Sequence, residues 1–198
     1  MRKKGVIWAS ILAVICLISY VGISLASEES RDTVGVSPEV VADYIHSVIE
    51  ADRTLYTTHV VQRMQEGGIV IAAEAWKRRN ALPLPAQMLL LAGLHVEERG
   101  TGLQYRLASL WPIYERNGSA TEFERTGLEA VEKDPSKPYT GIIQRGDKSY
   151  FKAIYADRAV SKACVICHNG HILSSKRDRK LGDVMGGIII SFPLPQED

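Results

Sequence analysis

Cys164-Val165-Ile166-Cys167-His168 holds the residues of this sequence best suited to chemistry, two thiols three positions apart with an imidazole directly after them. On a helical turn, residues i and i+3 share a face, so both sulfurs can reach one flat group while His168 is carried beneath it. Two thioether bonds to the vinyl groups of a porphyrin and an axial nitrogen on its iron require that arrangement, and the pattern predicts covalent haem c. Three other readings use the same residues. A thioredoxin-like redox pair shares the first four positions but opens a helix early in a βαβ unit. A zinc ion could recruit Cys164, Cys167, His168 and His171, although four ligands within eight residues are cramped. A tight disulfide is the third.

The sixth iron position draws on His59, His95, Met64, Met88 and His46, with an open or water-filled site as the alternative. His59 leads because Val41, Ile45, Val48, Asp52, Leu55 and His59 recur near 3.6 residues and read as the inward face of one helix. Thiolate ligation is ruled out once Cys164 and Cys167 are spent on the vinyl groups. Arg106 is a candidate partner for a haem propionate, against the plainer reading of a strand-surface arginine. Trp76 and Trp111 could stack on porphyrin or serve a core. His171, Lys176, Arg177, Arg179 and Lys180 form a basic loop, solvated or covering propionates. Asp183, between glycines, reads as a turn residue.

These groups need a scaffold, and a chain of 198 residues with 45% hydrophobic and 24% charged composition is long enough to build one domain with a core. The 24 basic and 23 acidic residues give no electrostatic footprint for nucleic acid. Arg2, Lys3 and Lys4 precede a run from Gly5 to Ser27 with no charged side chain. That run predicts a membrane-targeting segment, residues 1–27, with its basic end in the cytoplasm. Ser24-Leu25-Ala26 offers a cleavage site, so a signal peptide and a retained transmembrane anchor both stay open. Either fate delivers residues 28–198 to the periplasmic side of the inner membrane. Cys16 lies in the leader and its context does not favour lipidation.

The expected elements begin with a long helix from Pro38 to about Glu66, with Ser37 as N-cap and Gly67-Gly68 as its stop. A shorter helix is expected from Ile69 to Arg79, and another from Pro85 to before Gly100. Leu103 to Leu110 reads as a strand. Thr121 and Glu124 form a capping box for a helix to Lys133. Tyr139–Gln144 and Ser149–Tyr155 flank a hairpin turn at residues 145–148. Ala156–Ala163 reads as helical, and Val184–Phe192 as a last strand loosened by Gly186-Gly187. Helices followed by mostly antiparallel strands make the class α+β.

The stretches Tyr105 to Pro112, Ala163 to Asn169, Gly182 to Gly187, Leu82 to Gln87 and Phe123-Glu124 together resemble a bacterial family of haem c-binding, PAS-like periplasmic domains. The resemblance covers nearly all of residues 28–198. It implies a PAS-like antiparallel sheet flanked by helices, here preceded by the long N-terminal helix and the targeting segment. It also implies a haem-based redox or gas sensor module. An enzyme such as a peroxidase is not expected, because no histidine–arginine pair is placed for acid–base work at an open distal site. Expected partners are a diatomic gas or redox partner, the membrane through the N-terminal segment, and a signalling or electron-transfer protein that provides the output. A small periplasmic electron-transfer cytochrome is the other functional reading, and distal ligation separates the two.

Overall fold

A computed structural model of the chain describes residues 35–195. The targeting segment 1–27 lies outside the described residues. Among the described residues no helix is long and apolar enough to cross a membrane. Helix α1 (Pro38–Leu55) runs on as a π-helical stretch (Tyr56–Gln62) and a last turn, α2 (Arg63–Glu66). Then come α3 (Trp76–Arg79), α4 (Pro85–Glu97), β1 (Gln104–Ala108), α5 (Glu122–Lys133), β2 (Tyr139–Arg145), β3 (Lys148–Arg158), α6 (Lys162–Gly170) and β4 (Val184–Pro193). The four strands form one antiparallel sheet in the order β1-β4-β3-β2. The expected α+β class, an antiparallel sheet flanked by helices and preceded by a long helix, is the observed one.

Strand alternation sends residues to two cores. Phe151, Ala153, Tyr155, Ile188 and Ile190 pack with Ala42 and Ile49 of α1 and Leu89 of α4 on one face. Ile154, Ile189 and Ala108 meet Leu128 and Val131 of α5 on the other. The sheet and α5 approach so closely that a Cβ at Gly187 would lie 2.8 Å from both Ile154 Cγ2 and Leu128 Cδ2. At Gly186 it would collide with the Ala108 carbonyl oxygen. The two glycines therefore do not loosen β4; they let its neighbours close on it.

Helix α1 starts and stops as its sequence predicts. The Ser37 hydroxyl accepts from Val40 N, Pro38 opens the helix, and Gly68 turns the chain at φ 64°. Its buried face, however, runs through Ala42, Ile49, Arg53, Thr57 and Val61, while Val48 is 63% and Leu55 51% exposed. The inward register through Val48, Leu55 and His59 is thus corrected by a rotation of about one residue, and all three side chains are exposed. The cause is Arg53, which is buried because its guanidinium meets Asp157 of β3 at 2.9 Å. The π-helical stretch has a local cause as well. Thr57 and Thr58 hydroxyls donate to the carbonyls of Arg53 and Thr54, four residues back, and compete with the amides that would close regular turns there.

Three further expectations change. Residues 69–75 are not helical: Leu82 N donates to Ile71 O and Ala73 N to Leu82 O, so this stretch pairs with the chain returning from α3. Ala156–Arg158 extends β3 rather than opening a helix, because its pairing with β4 continues to Val184 past an irregularity at Asp157/Arg158. Thr121 caps α5, but the Glu124 carboxylate accepts from Ala120 N at 2.7 Å, Arg106 and Lys152 instead of completing the box.

Candidate functional site

Helix α6 carries the cysteine motif at the end of the sheet where β3 finishes and β4 begins. Ser161 caps it, accepting from Ala163 N, and its hydroxyl donates to Gln62 Oε1 at 2.8 Å. The motif helix is thereby tied to the π-helical stretch of α1. At its other end the Asn169 side chain clasps the returning loop. Its Nδ2 donates to Arg179 O at 2.9 Å and its Oδ1 accepts from Arg179 N at 3.0 Å.

Cys164 is half-buried and Cys167 exposed, and both thiols are free. Neighbouring atoms that partly exclude water raise the Cys167 thiol above its usual value, and the negative charge of Glu74 adds to the shift. The motif helix follows β3 of an all-antiparallel sheet rather than the first strand of a βαβ unit, the setting of a thioredoxin-like pair. His168 is half-buried, and burial is the main reason its pKa is lowered. The positive charges of Arg179, Arg53 and His171 act in the same direction. The neutral imidazole that results is the form able to ligate a metal. Among the described residues no three His, Cys, Asp or Glu side chains converge closely enough to hold a metal ion by themselves, so the zinc reading is not supported geometrically.

The walls around α6 come from distant segments. Glu74, before α3, accepts from Tyr114 at 2.8 Å and faces His171 Nε2 at 3.2 Å. Trp111 lies under Lys176 Nζ at 4.0 Å and under the buried Arg179 guanidinium at 4.9 Å, so part of the basic loop is folded onto an aromatic ring. Arg179 also donates to the Val184 carbonyl. Asp183 shapes a turn, accepting from Lys180 N at 2.7 Å. Ile166, Ile172 and Leu173 are 71%, 84% and 54% exposed in and just after the motif, an apolar surface suited to covering by a porphyrin. Two free thiols on one helix, a neutral imidazole beside them and this apolar surround fit haem c.

The other named residues are placed as follows. Arg106 bonds Glu124 at 2.6 Å and the Gly118 carbonyl, within a buried cluster that includes Lys152. His59 is exposed on the π-helical stretch, three residues before Gln62. His95 is exposed and paired with Glu98, and Met64 and Met88 are half-buried. His46 stacks on Tyr155 with ring centroids 3.9 Å apart, and its buried Nε2 has no hydrogen-bond partner. Trp76 carries Lys77 over its ring. Sequence reasoning missed Arg53, Glu74, Tyr114 and Asp157. Each functions through a partner at least 40 residues away, and hydrophobic periodicity carries no signal for such pairs.

A family model described as Tll0287-like matches residues 33–193. The crystal structure of the cyanobacterial haem-protein Tll0287 aligns with 82% of this chain and 100% of its own, with a TM-score of 0.52 and 12% identity. That likeness establishes a shared fold. No curated protein matches the chain.

Proposed function

The chain belongs to the Tll0287-like family, and from that premise we propose that it is an exported monohaem c-type protein acting as a haem-based redox or gas sensor module. Cys164 and Cys167 would hold the porphyrin covalently, and His168 would supply a nitrogen ligand to its iron. When bound, haem supplies an iron centre that changes oxidation state and takes up diatomic ligands. That relative is itself described as a haem-protein. No catalytic turnover is part of the proposal.

The observation that carries the sensing role is the mechanical connection of the motif helix. The Ser161 hydroxyl donates to Gln62 Oε1 at 2.8 Å. A shift of α6 is passed through this contact to the π-helical stretch, a form of helix that recurs at functional sites. Helix α1 follows the apolar N-terminal segment in sequence, and a change in it is what a partner protein would read.

His59 is proposed for the sixth position. It is exposed on the same π-helical stretch whose Gln62 accepts from Ser161 of α6, and a group held by α6 would have to recruit it from there. A diatomic ligand would then compete with this imidazole for the iron. The test is to add carbon monoxide and nitric oxide to the reduced protein. A shifted Soret band is expected. An unchanged spectrum would replace this reading with a small periplasmic electron-transfer cytochrome holding two strong ligands.

A further inference from the structure

At the opposite end of the sheet from α6, a cavity of about 240 Å³ opens between α4 and the face of the sheet that α5 covers. Gln104, Ser191 and Lys152 stand in one row across β1, β4 and β3. Lys152 lies six residues before the end of β3, roughly 20 Å along the strand from the motif end. The cavity is therefore separate from the candidate haem site.

Its chemistry is specific. Lys152, Glu124 and Ser191 line it and are each at most 4% exposed. Lys152 Nζ donates to Glu124 Oε1 at 2.8 Å, and Arg106 Nη2 donates to Glu124 Oε2 at 2.6 Å. Two cations share one carboxylate, leaving a net positive charge at the cavity wall. An ammonium has three donors, and Glu124 takes one of those on Lys152. Beside it the Ser191 hydroxyl oxygen is buried without a hydrogen-bond partner. A buried hydroxyl left unpaired is costly, and a ligand acceptor would satisfy it. At the rim Glu97 and Arg145 offset each other through Gln104, with contacts of 2.6 and 3.0 Å, so the rim does not cancel the inner charge. The remaining wall is apolar, from Leu90, Leu94 and Ile189.

We propose that this cavity binds a small monocarboxylate, with its anionic head at Lys152, Arg106 and Ser191 Oγ and a short apolar body against Leu90, Leu94 and Ile189. One negative charge matches the one excess positive charge. The volume of about 240 Å³ lies just under the lower end of drug-sized sites, about 300 Å³, so the ligand is short. Such a ligand bridges α4 to the sheet and gives the domain a second chemical input, independent of any group on α6.

The test uses the full haem-loaded chain, with butyrate and benzoate as probes and their uncharged amides, butyramide and benzamide, as controls. Calorimetric titration and thermal melting are run to about 10 mM probe, tenfold above a Kd of about 1 mM. At least one acid is expected to bind saturably and to raise the melting temperature, tenfold or more tightly than its amide, with the Soret band unmoved. Ser191→Ala removes the orphaned hydroxyl and should weaken binding by about two- to tenfold. Leu94→Trp, made at a half-exposed position where folding is little at risk, should block the mouth and abolish binding. Equal affinity for acid and amide, no binding of either acid, binding that shifts the Soret band, or binding unaltered in both variants would each overturn the proposal.

Discussion

Replacing Arg53 with Met tests whether the buried pair with Asp157 fixes the register of α1. The two side chains are each 8% exposed and their contact is 2.9 Å. Burial raises the Asp157 carboxyl above its ordinary value despite the opposing charge of Arg53. Removing the cation leaves that carboxylate buried without a counter-charge, and breaking such a pair costs about 3–5 kcal/mol. For a domain of this size, about 2–4 °C of melting temperature is lost per kcal/mol, so Arg53→Met should melt about 6–20 °C lower. The double variant Arg53→Met with Asp157→Leu removes both charges and keeps much of the volume, and should recover most of the loss. Circular dichroism melts of haem-loaded wild type and both variants measure this. A loss under about 1 kcal/mol, or a double variant weaker than the single one, would refute the claim that the pair holds α1 against β3.

Gly187→Val should destabilise the fold by about 1–3 kcal/mol in denaturant titration, because its side chain would enter space held by Ile154 and Leu128. His59→Ala should convert a low-spin ferric spectrum to high-spin and speed carbon monoxide binding; an unchanged spectrum would remove His59 from the sixth position. Burial raises Glu124, but hydrogen bonds from Lys152 and Ala120 N and the charge of Arg106 outweigh it, so its net pKa is lowered. A carboxyl held below its unfolded value stabilises the fold above that value and loses the contribution as pH falls toward the folded one. Acid titration should therefore show stability falling below about pH 4.5, and Glu124→Gln should flatten that slope while lowering stability at pH 7.

Local chemistry made much of this fold legible in advance. Ser37, Pro38 and Gly67-Gly68 bracket the long helix, and Gly146-Asp147 forms the turn of the hairpin, with Gly146 at φ 62°. The cysteine motif, with its spacing and its histidine, pointed to α6 as the candidate site. What stayed hidden depends on tertiary partners. Arg53 reads as a surface residue until Asp157, 104 positions on, neutralises it, and that one pair rotates the buried face of α1. Glu124 looks like half of a capping box until Lys152 and Arg106 converge on it. Ala156–Arg158 has helix-forming composition, but its pairing with β4 decides otherwise. The cavity beside Ser191 has no sequence signal, since strands β1, β3 and β4 bring its polar wall together.

Covalent haem attachment is the claim on which the functional account rests. Full-length protein should be expressed with a cytochrome c maturation system, its periplasmic and inner-membrane fractions run on a denaturing gel, and the gel stained for haem peroxidase activity. Wild type should give a stained band near 20 kDa in those fractions, with or without its leader, as the chain mass of 21.9 kDa requires. Cys164→Ala combined with Cys167→Ala should give none. A wild-type band that takes no stain, while a control cytochrome c matured in the same cells does, would contradict the account.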